Sequence, residues 1–176
     1  MKVVIQLCVW SIVFITLIAY QVMDRMLETG EHRAYAAAII AVHDAAVVKR
    51  SDLSSGWIVF DPAAAPDSFR KSLGLQLKLN PDDLSPLPDS MWKEPFKIIG
   101  LYLLGDDKAP KDARGQPIYP YEFTANAVYR GKTIQVKETI YGPSVVGVIE
   151  FTHNVNLPWG PPPTSYKKAI YRYKIS

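Results

Sequence analysis

Residues 3–23, VVIQLCVWSIVFITLIAYQVM, carry no charge across 21 positions, and nothing else in the chain limits its fold so strongly. At 1.5 Å of rise per helical residue the run reaches about 31 Å, the thickness of a bilayer's hydrocarbon core. It reads as a membrane span, with the lipid bilayer as its partner. Lys2 and the amino terminus lie before it, and Asp24, Arg25, Glu28 and Glu31 follow, so the positive-inside rule favours a cytoplasmic N-terminus and an extracytoplasmic bulk. The competing reading is a cleaved signal peptide. The run is longer than a signal core, and AYQVMDR at its end lacks the small-x-small cleavage pattern, which favours a retained anchor. Gln6, Ser11, Thr16 and Gln21 are polar but uncharged and are the candidate membrane-helix contacts, able to hydrogen-bond a neighbouring helix.

From Asp24 to Arg50 there is no proline and one glycine, Gly30, among residues of high helix propensity. The span is therefore expected to continue unbroken as a rod of about 45 residues. Its distal part, AYAAAIIAVHDAAVV at 34–48, is almost wholly apolar and must be buried, with Tyr35, Ile39, Ile40, Val42 and Val47 as the expected helix–sheet packing residues. Three segments result: the span (1–23), its extracytoplasmic continuation (24–50) and an α+β domain (51–176).

In that domain Ser51-Asp52 and SSG at 54–56 read as the turn ending the rod, and WIVF (57–60) as a short strand. Asp61 and Pro62 start a second helix, with Phe69 and Leu73 on one side and Gly74 as its expected stop. Residues 78–95 hold four prolines and form a loop anchored by Leu84, Leu87, Met91 and Trp92. FKIIGLYLL (96–104) reads as a central strand, and 105–120 as a polar loop. EFTANAVYR and KTIQVKETI alternate and meet at Arg130-Gly131, a hairpin. VVGVIEFT (145–152) is a further strand, and KAIYRYKI closes the chain as an edge strand defended by Lys and Arg. The fold class is α+β: a long N-terminal helix packed on a small, mainly antiparallel sheet of about five strands, with one short extra helix.

No pattern argues strongly for catalysis. His43 and Asp44 are adjacent on a helix, about 100° apart, and are not expected to face one another as a dyad. Glu28 and His32 are four apart and form a solvated pair, and His153 reads as a surface or packing residue. There is no G-x-S-x-G elbow, Walker loop or G-x-G-x-x-G. Asp106, Asp107 and Asp112 miss calcium-loop spacing and read as a solvated loop. No metal, cofactor or catalytic residue is assigned. Cys8 is the one cysteine, so the domain must hold by packing. Beyond Lys2, 19 basic residues face 17 acidic ones, a balance too mild to imply nucleic acid. A second functional reading places a glycan or peptide ligand on Trp92, Tyr119 and Tyr121 from the two long loops, making the chain a membrane-tethered or secreted binding module.

An uncharged N-terminal helix that continues as an Ala-rich helix and then meets a small antiparallel sheet resembles the plan of type IV pilin-like and Tad-type pseudopilin proteins. The resemblance covers the chain in layout and little of it in motif. It implies that residues 3–23 bundle in a membrane platform or filament core while 34–48 pack on the sheet. It further implies a non-enzymatic structural subunit that associates with itself or with other membrane-anchored envelope subunits. Typical pilins carry a basic leader ending in glycine and a glutamate early in the span. Here Met1-Lys2 precede it and Gln6 is the polar residue near its start, so the Tad-type branch is the better comparison and processing by a prepilin peptidase is not expected.

Overall fold

A computed structural model of the chain describes residues 2–49, 56–155 and 160–174. Helix α1 (Lys2–Asp44) is continuous for 43 residues, about 64 Å at standard helical rise. Residues 2–22 are exposed throughout, and this part of the helix is long and apolar enough to cross a membrane. The distal part packs into an α+β head built from α2 (Ala64–Leu77) and five strands: β1 (Lys97–Leu104), β2 (Tyr121–Tyr129), β3 (Lys132–Ile140), β4 (Ser144–Thr152) and β5 (Thr164–Arg172). The five strands divide into an antiparallel sheet of order β1-β4-β5 and a separate β2-β3 hairpin.

The head has three layers. Helices α1 and α2 cover one face of the three-stranded sheet and the hairpin covers the other. Strand β4 is central and buried on both faces. Val145, Ile149 and Phe151 join the helix-side core, while Val146 and Val148 join the hairpin-side core. That double burial accounts for the unbroken apolar run in its sequence. The equally apolar β1 predicts a central strand but lies at an edge; its apolarity reflects two covered faces, not two strand neighbours. A bulge at Ile99 shifts its phase. Ile98, Leu101 and Leu103 pack toward the helices, Ile99, Tyr102 and Leu104 toward the hairpin.

The seam of α1 that meets the head is made of small residues: Gly30, Ala34, Ala37, Ala38 and Ala41 are buried, with Val42 completing the row. Their spacing of three and four puts them on one face. Tyr35, Ile39 and Ile40, expected in this contact, are instead between 39% and 44% exposed, because the backbones approach too closely for large side chains to lie between them. Val42 is buried and Val47 half-buried. The approach is tightest at Gly147 on β4, where a Cβ would fall 2.6 Å from Val42 Cγ1 and 2.8 Å from the Phe69 ring on α2.

The rod ends at Asp44, before the expected Arg50. β-Branched Val47 and Val48 leave the helix for an extended stretch that bridges Phe60, with Lys49 N–H donating to the Val59 carbonyl at 2.9 Å. WIVF thus forms a bridge and not a full strand. The expected turn at 51–55 lies outside the described residues. Asp61 accepts from the Ala63 and Ala64 amides at 2.9 and 3.3 Å, as expected of a cap. Gly74 does not stop α2. The helix runs on to Leu77, and Lys78 takes the left-handed turn at φ 55°. Gly74 is small because the Leu79 carbonyl returns to within 2.9 Å of where its Cβ would be. Arg130 and Gly131 both have positive φ, and Tyr129 pairs with Lys132, the expected two-residue hairpin.

Replacing Gly147 with alanine forces a methyl group into the α1–α2–β4 contact and is expected to cost about 1–3 kcal/mol, the usual range for overpacking a core. Denaturant unfolding of the full chain in detergent measures this. Gly142→Ala, whose added methyl would meet only the Arg172 side chain at 3.9 Å among the described residues, is the neutral control. Equal stability of the two variants would show that the seam is loose.

Candidate functional site

The polar groups most completely organised by the fold lie where α1 leaves the head. Gly30 and Glu31 come from α1, His153 follows β4, and Ser165 and Lys167 come from β5. Lys167 Nζ donates to Glu31 Oε2 at 2.6 Å, and Ser165 Oγ donates to Glu31 Oε1 at 3.2 Å. His153 is 3% exposed, and its Nε2 lies 3.0 Å from Ser165 Oγ and 3.9 Å from Glu31 Oε1. Its own backbone N–H donates to the Pro163 carbonyl. Gly30 makes room for the imidazole, since a Cβ there would sit 3.2 Å from Nδ1.

The bonded Lys167 ammonium holds the Glu31 carboxyl below its ordinary range, against a smaller opposing effect of burial, and Ser165 adds to the lowering. Burial pushes the His153 imidazole down, partly opposed by Glu31 and reinforced by Lys167. Neutral His153 beside ionised Glu31 defines the proton order. An ionised carboxylate can only accept, so Ser165 must donate to it, and Nε2 must in turn donate to Ser165. With its proton on Nε2 the imidazole cannot serve as a base to Ser165. The chain of bonds is suited to pinning the helix to the sheet, not to activating a nucleophile.

A second polar tie joins the other end of the buried helix to α2. Ser72 Oγ donates to Asp44 Oδ2 at 2.6 Å, and His43 Nδ1 lies 3.0 Å from Asp44 Oδ1. The adjacent His43 and Asp44 therefore do touch, contrary to expectation, because Asp44 at the helix end can turn toward both partners. The Ser72 and His43 bonds lower the Asp44 carboxyl. Asp44 stands between the hydroxyl and the imidazole, so Ser72 and His43 do not form a nucleophile–base pair. The His43 ring meets Tyr171 edge-on at 4.6 Å.

The residues expected to form a ligand surface are separated by the sheet. Trp92 is 3% exposed in the helix-side core, stacked edge-on with Phe96 and Phe151 at 4.8 and 5.4 Å. Tyr119 and Tyr121 pack against the hairpin-side core. Asp106, expected to be solvated, is buried and accepts from Ile58 N–H at 2.7 Å and from the Tyr119 hydroxyl at 2.9 Å. Burial and this bond push the Tyr119 hydroxyl up, and burial does the same to Tyr121. Trp92 Nε1 and the Tyr121 hydroxyl are buried with no hydrogen-bond partner among the described residues.

In the apolar part of α1, Gln6, Ser11, Thr16 and Gln21 are all exposed, and at 100° per residue they spread around the helix instead of forming one stripe. Thr16 Oγ1 donates to its own helix, to the Ile12 carbonyl at 2.8 Å. Glu28 and His32 form the expected exposed pair at 3.7 Å. Among the described residues no group of three His, Cys, Asp or Glu side chains is placed to hold a metal ion. Sequence reasoning missed Glu31, Ser165 and Lys167. Their separation of more than 130 positions leaves no local signal, and Glu31 is one of several acids in a polar stretch.

Acidification is expected to loosen the helix–head junction. His153 is held neutral in the fold while an unfolded imidazole takes a proton below pH ~6.5, so its contribution is complete above that value and is lost as pH falls toward the lowered folded one. Glu31 follows the same sign at lower pH, below the ordinary carboxyl value of 4.5. Thermal unfolding of the full chain should therefore show a lower Tm at pH 5.5 than at pH 7.5, and His153→Gln should flatten that difference; an unchanged pH slope would rule out His153 as its source. Comparison with protein-family models, curated proteins and solved structures finds no match to this chain.

Proposed function

We propose that this chain is a single-span, membrane-anchored structural subunit with an extracytoplasmic head, pseudopilin-like in plan, working within a prokaryotic cell-envelope filament or secretion apparatus through helix contacts and not through catalysis. The observation that carries this reading is the continuity of α1: one helix runs from an exposed, uncharged segment of membrane-spanning length straight into the buried seam of the head. A flexible tether would serve a mere anchor equally well. An unbroken helix transmits position from membrane to head.

A second feature supports self-association. Tyr35, Ile39 and Ile40 are exposed on α1 beside the head, and together with Ala36 they form a second apolar patch on the helix, set off from residues 3–23 by the polar stretch 24–33. Apolar side chains left uncovered on a helix are suited to a second helix. The reading as a glycan- or peptide-binding module loses its surface, since Trp92 lies on one side of the sheet and Tyr119 and Tyr121 on the other.

The test is to express the full chain with a C-terminal tag in a bacterial host, fractionate membranes, and size the mildly solubilised species. A membrane-bound assembly that shrinks in Ile39→Lys or Ile40→Lys, or when Gln6, Ser11 and Thr16 are changed to leucine, is the expected result. A soluble monomer would sink the proposal.

A further inference from the structure

A groove of about 400 Å³ runs along one flank of α1, from Val22 to Arg33, and is closed on its far side by Met91, Trp92 and the 153–155 segment. We infer that this groove holds the phosphate-bearing headgroup of an anionic phospholipid, with the start of an acyl chain along its apolar wall. The inference rests on the membrane reading of residues 3–23 and adds to it a specific lipid.

Position is the first argument. Val22 belongs to the end of the uncharged run, so the groove opens where a bilayer's hydrocarbon gives way to headgroups. Arg25 follows that end by about 3 Å of axial rise. Arg33 is about 12 Å further along, and helical side chains tilt back toward the N-terminus, which brings its guanidinium toward the same layer.

Charge is the second. The α1 positions lining the groove include Arg25 and Arg33 and no carboxylate. Glu28, one turn from Arg25, pairs instead with His32 at 3.7 Å. Both arginines are exposed, and neither makes an ion pair among the described residues; Arg33 Nη1 donates to the Met91 sulfur at 3.3 Å. Glu31 is already engaged by Lys167 and Ser165 on the β5 side, so it does not neutralise them. Two unpaired guanidiniums suit a phosphodiester, which they can grip bidentately.

The wall is the third. Val22 and Met26, each about half exposed, and the partly buried Met91 present an apolar surface beside the arginines, backed by the buried Trp92. A headgroup with attached acyl carbons would cover it, whereas a free phosphate would not.

The experiment is native mass spectrometry of the full chain, released from detergent micelles holding equal amounts of phosphatidylglycerol and phosphatidylcholine, with membrane fractionation of the same variants in parallel. The expected result is selective retention of phosphatidylglycerol, reduced about tenfold in an Arg25→Gln/Arg33→Gln double variant, the scale for losing a charge-assisted hydrogen bond. Lys132→Gln/Lys137→Gln on the hairpin should leave it unchanged. Both arginines are exposed, and an unchanged Tm would verify that the double variant folds. Equal retention of the two lipids, unaltered selectivity in the double variant, or full competition by inorganic phosphate would overturn the inference. If the chain stays with membranes in that case, the lipid site alone has failed. If it does not enter membranes at all, the anchored reading and the lipid site fall together.

Discussion

Everything in the head is arranged around how closely α1 can approach the sheet. The approach is set by side chains that are nearly absent: Gly30 and four alanines on the helix, Gly147 on β4. A leucine-type seam would hold the helix farther off and leave Phe69 without its place between α1, α2 and the sheet. Dispersion contacts of this kind are individually weak, but they extend along more than three turns of helix, from Gly30 to Val42. The helix is thereby part of the core, not a handle attached to it. The polar ties at the two ends, Glu31 to Ser165 and Lys167 and Asp44 to Ser72, add direction to a contact that the hydrophobic effect leaves directionless.

The central strand serves two cores. Because β4 is covered by helices on one face and by the hairpin on the other, the small head obtains two apolar clusters from one three-stranded sheet. Two buried carboxylates are satisfied locally. Glu150 receives Lys97 at 3.4 Å and the Arg130 amide at 3.5 Å, and Asp106 receives the Ile58 amide and Tyr119. The first fixes the hairpin to the sheet and the second fixes the 105–120 loop to the 57–60 segment, without a disulfide, which a chain with a single cysteine cannot form within itself.

The parts of the structure that depend on near neighbours were legible in the sequence. The exposed apolar run, the Asp61 cap, the alternation of β2 and β3 and the Arg130-Gly131 turn each follow from residues a few positions apart. What depends on distant partners was not. Burial within the rod went to alanines and not to Tyr35, Ile39 and Ile40, because local hydrophobicity ranks side chains by size, while the seam selects them for smallness. β1 read as central because covering two faces and having two strand neighbours leave the same apolar trace. The junction of Glu31, His153, Ser165 and Lys167 joins three elements from opposite ends of the chain, and no spacing rule links them. Trp92, singled out as a ligand contact for being aromatic and in a loop, is core for the same reason: its large ring fills the space beneath Gly30.

The two polar ties have a geometric consequence. Glu31 and Asp44 are thirteen residues apart, about 20 Å along the axis, and each is bound to a different element of the head. A rod held at one point can spin and slide; held at two points by unlike partners it can do neither. The azimuth of α1 is therefore locked to the face of the head, and because the helix is unbroken the lock extends down to residue 2. Which side chains of residues 3–23 look in a given direction around the axis then determines which surface of the head looks the same way. A neighbour that grips the lower helix by one stripe will always find the same strands above it, so the chain carries angular information through its own length without a moving part.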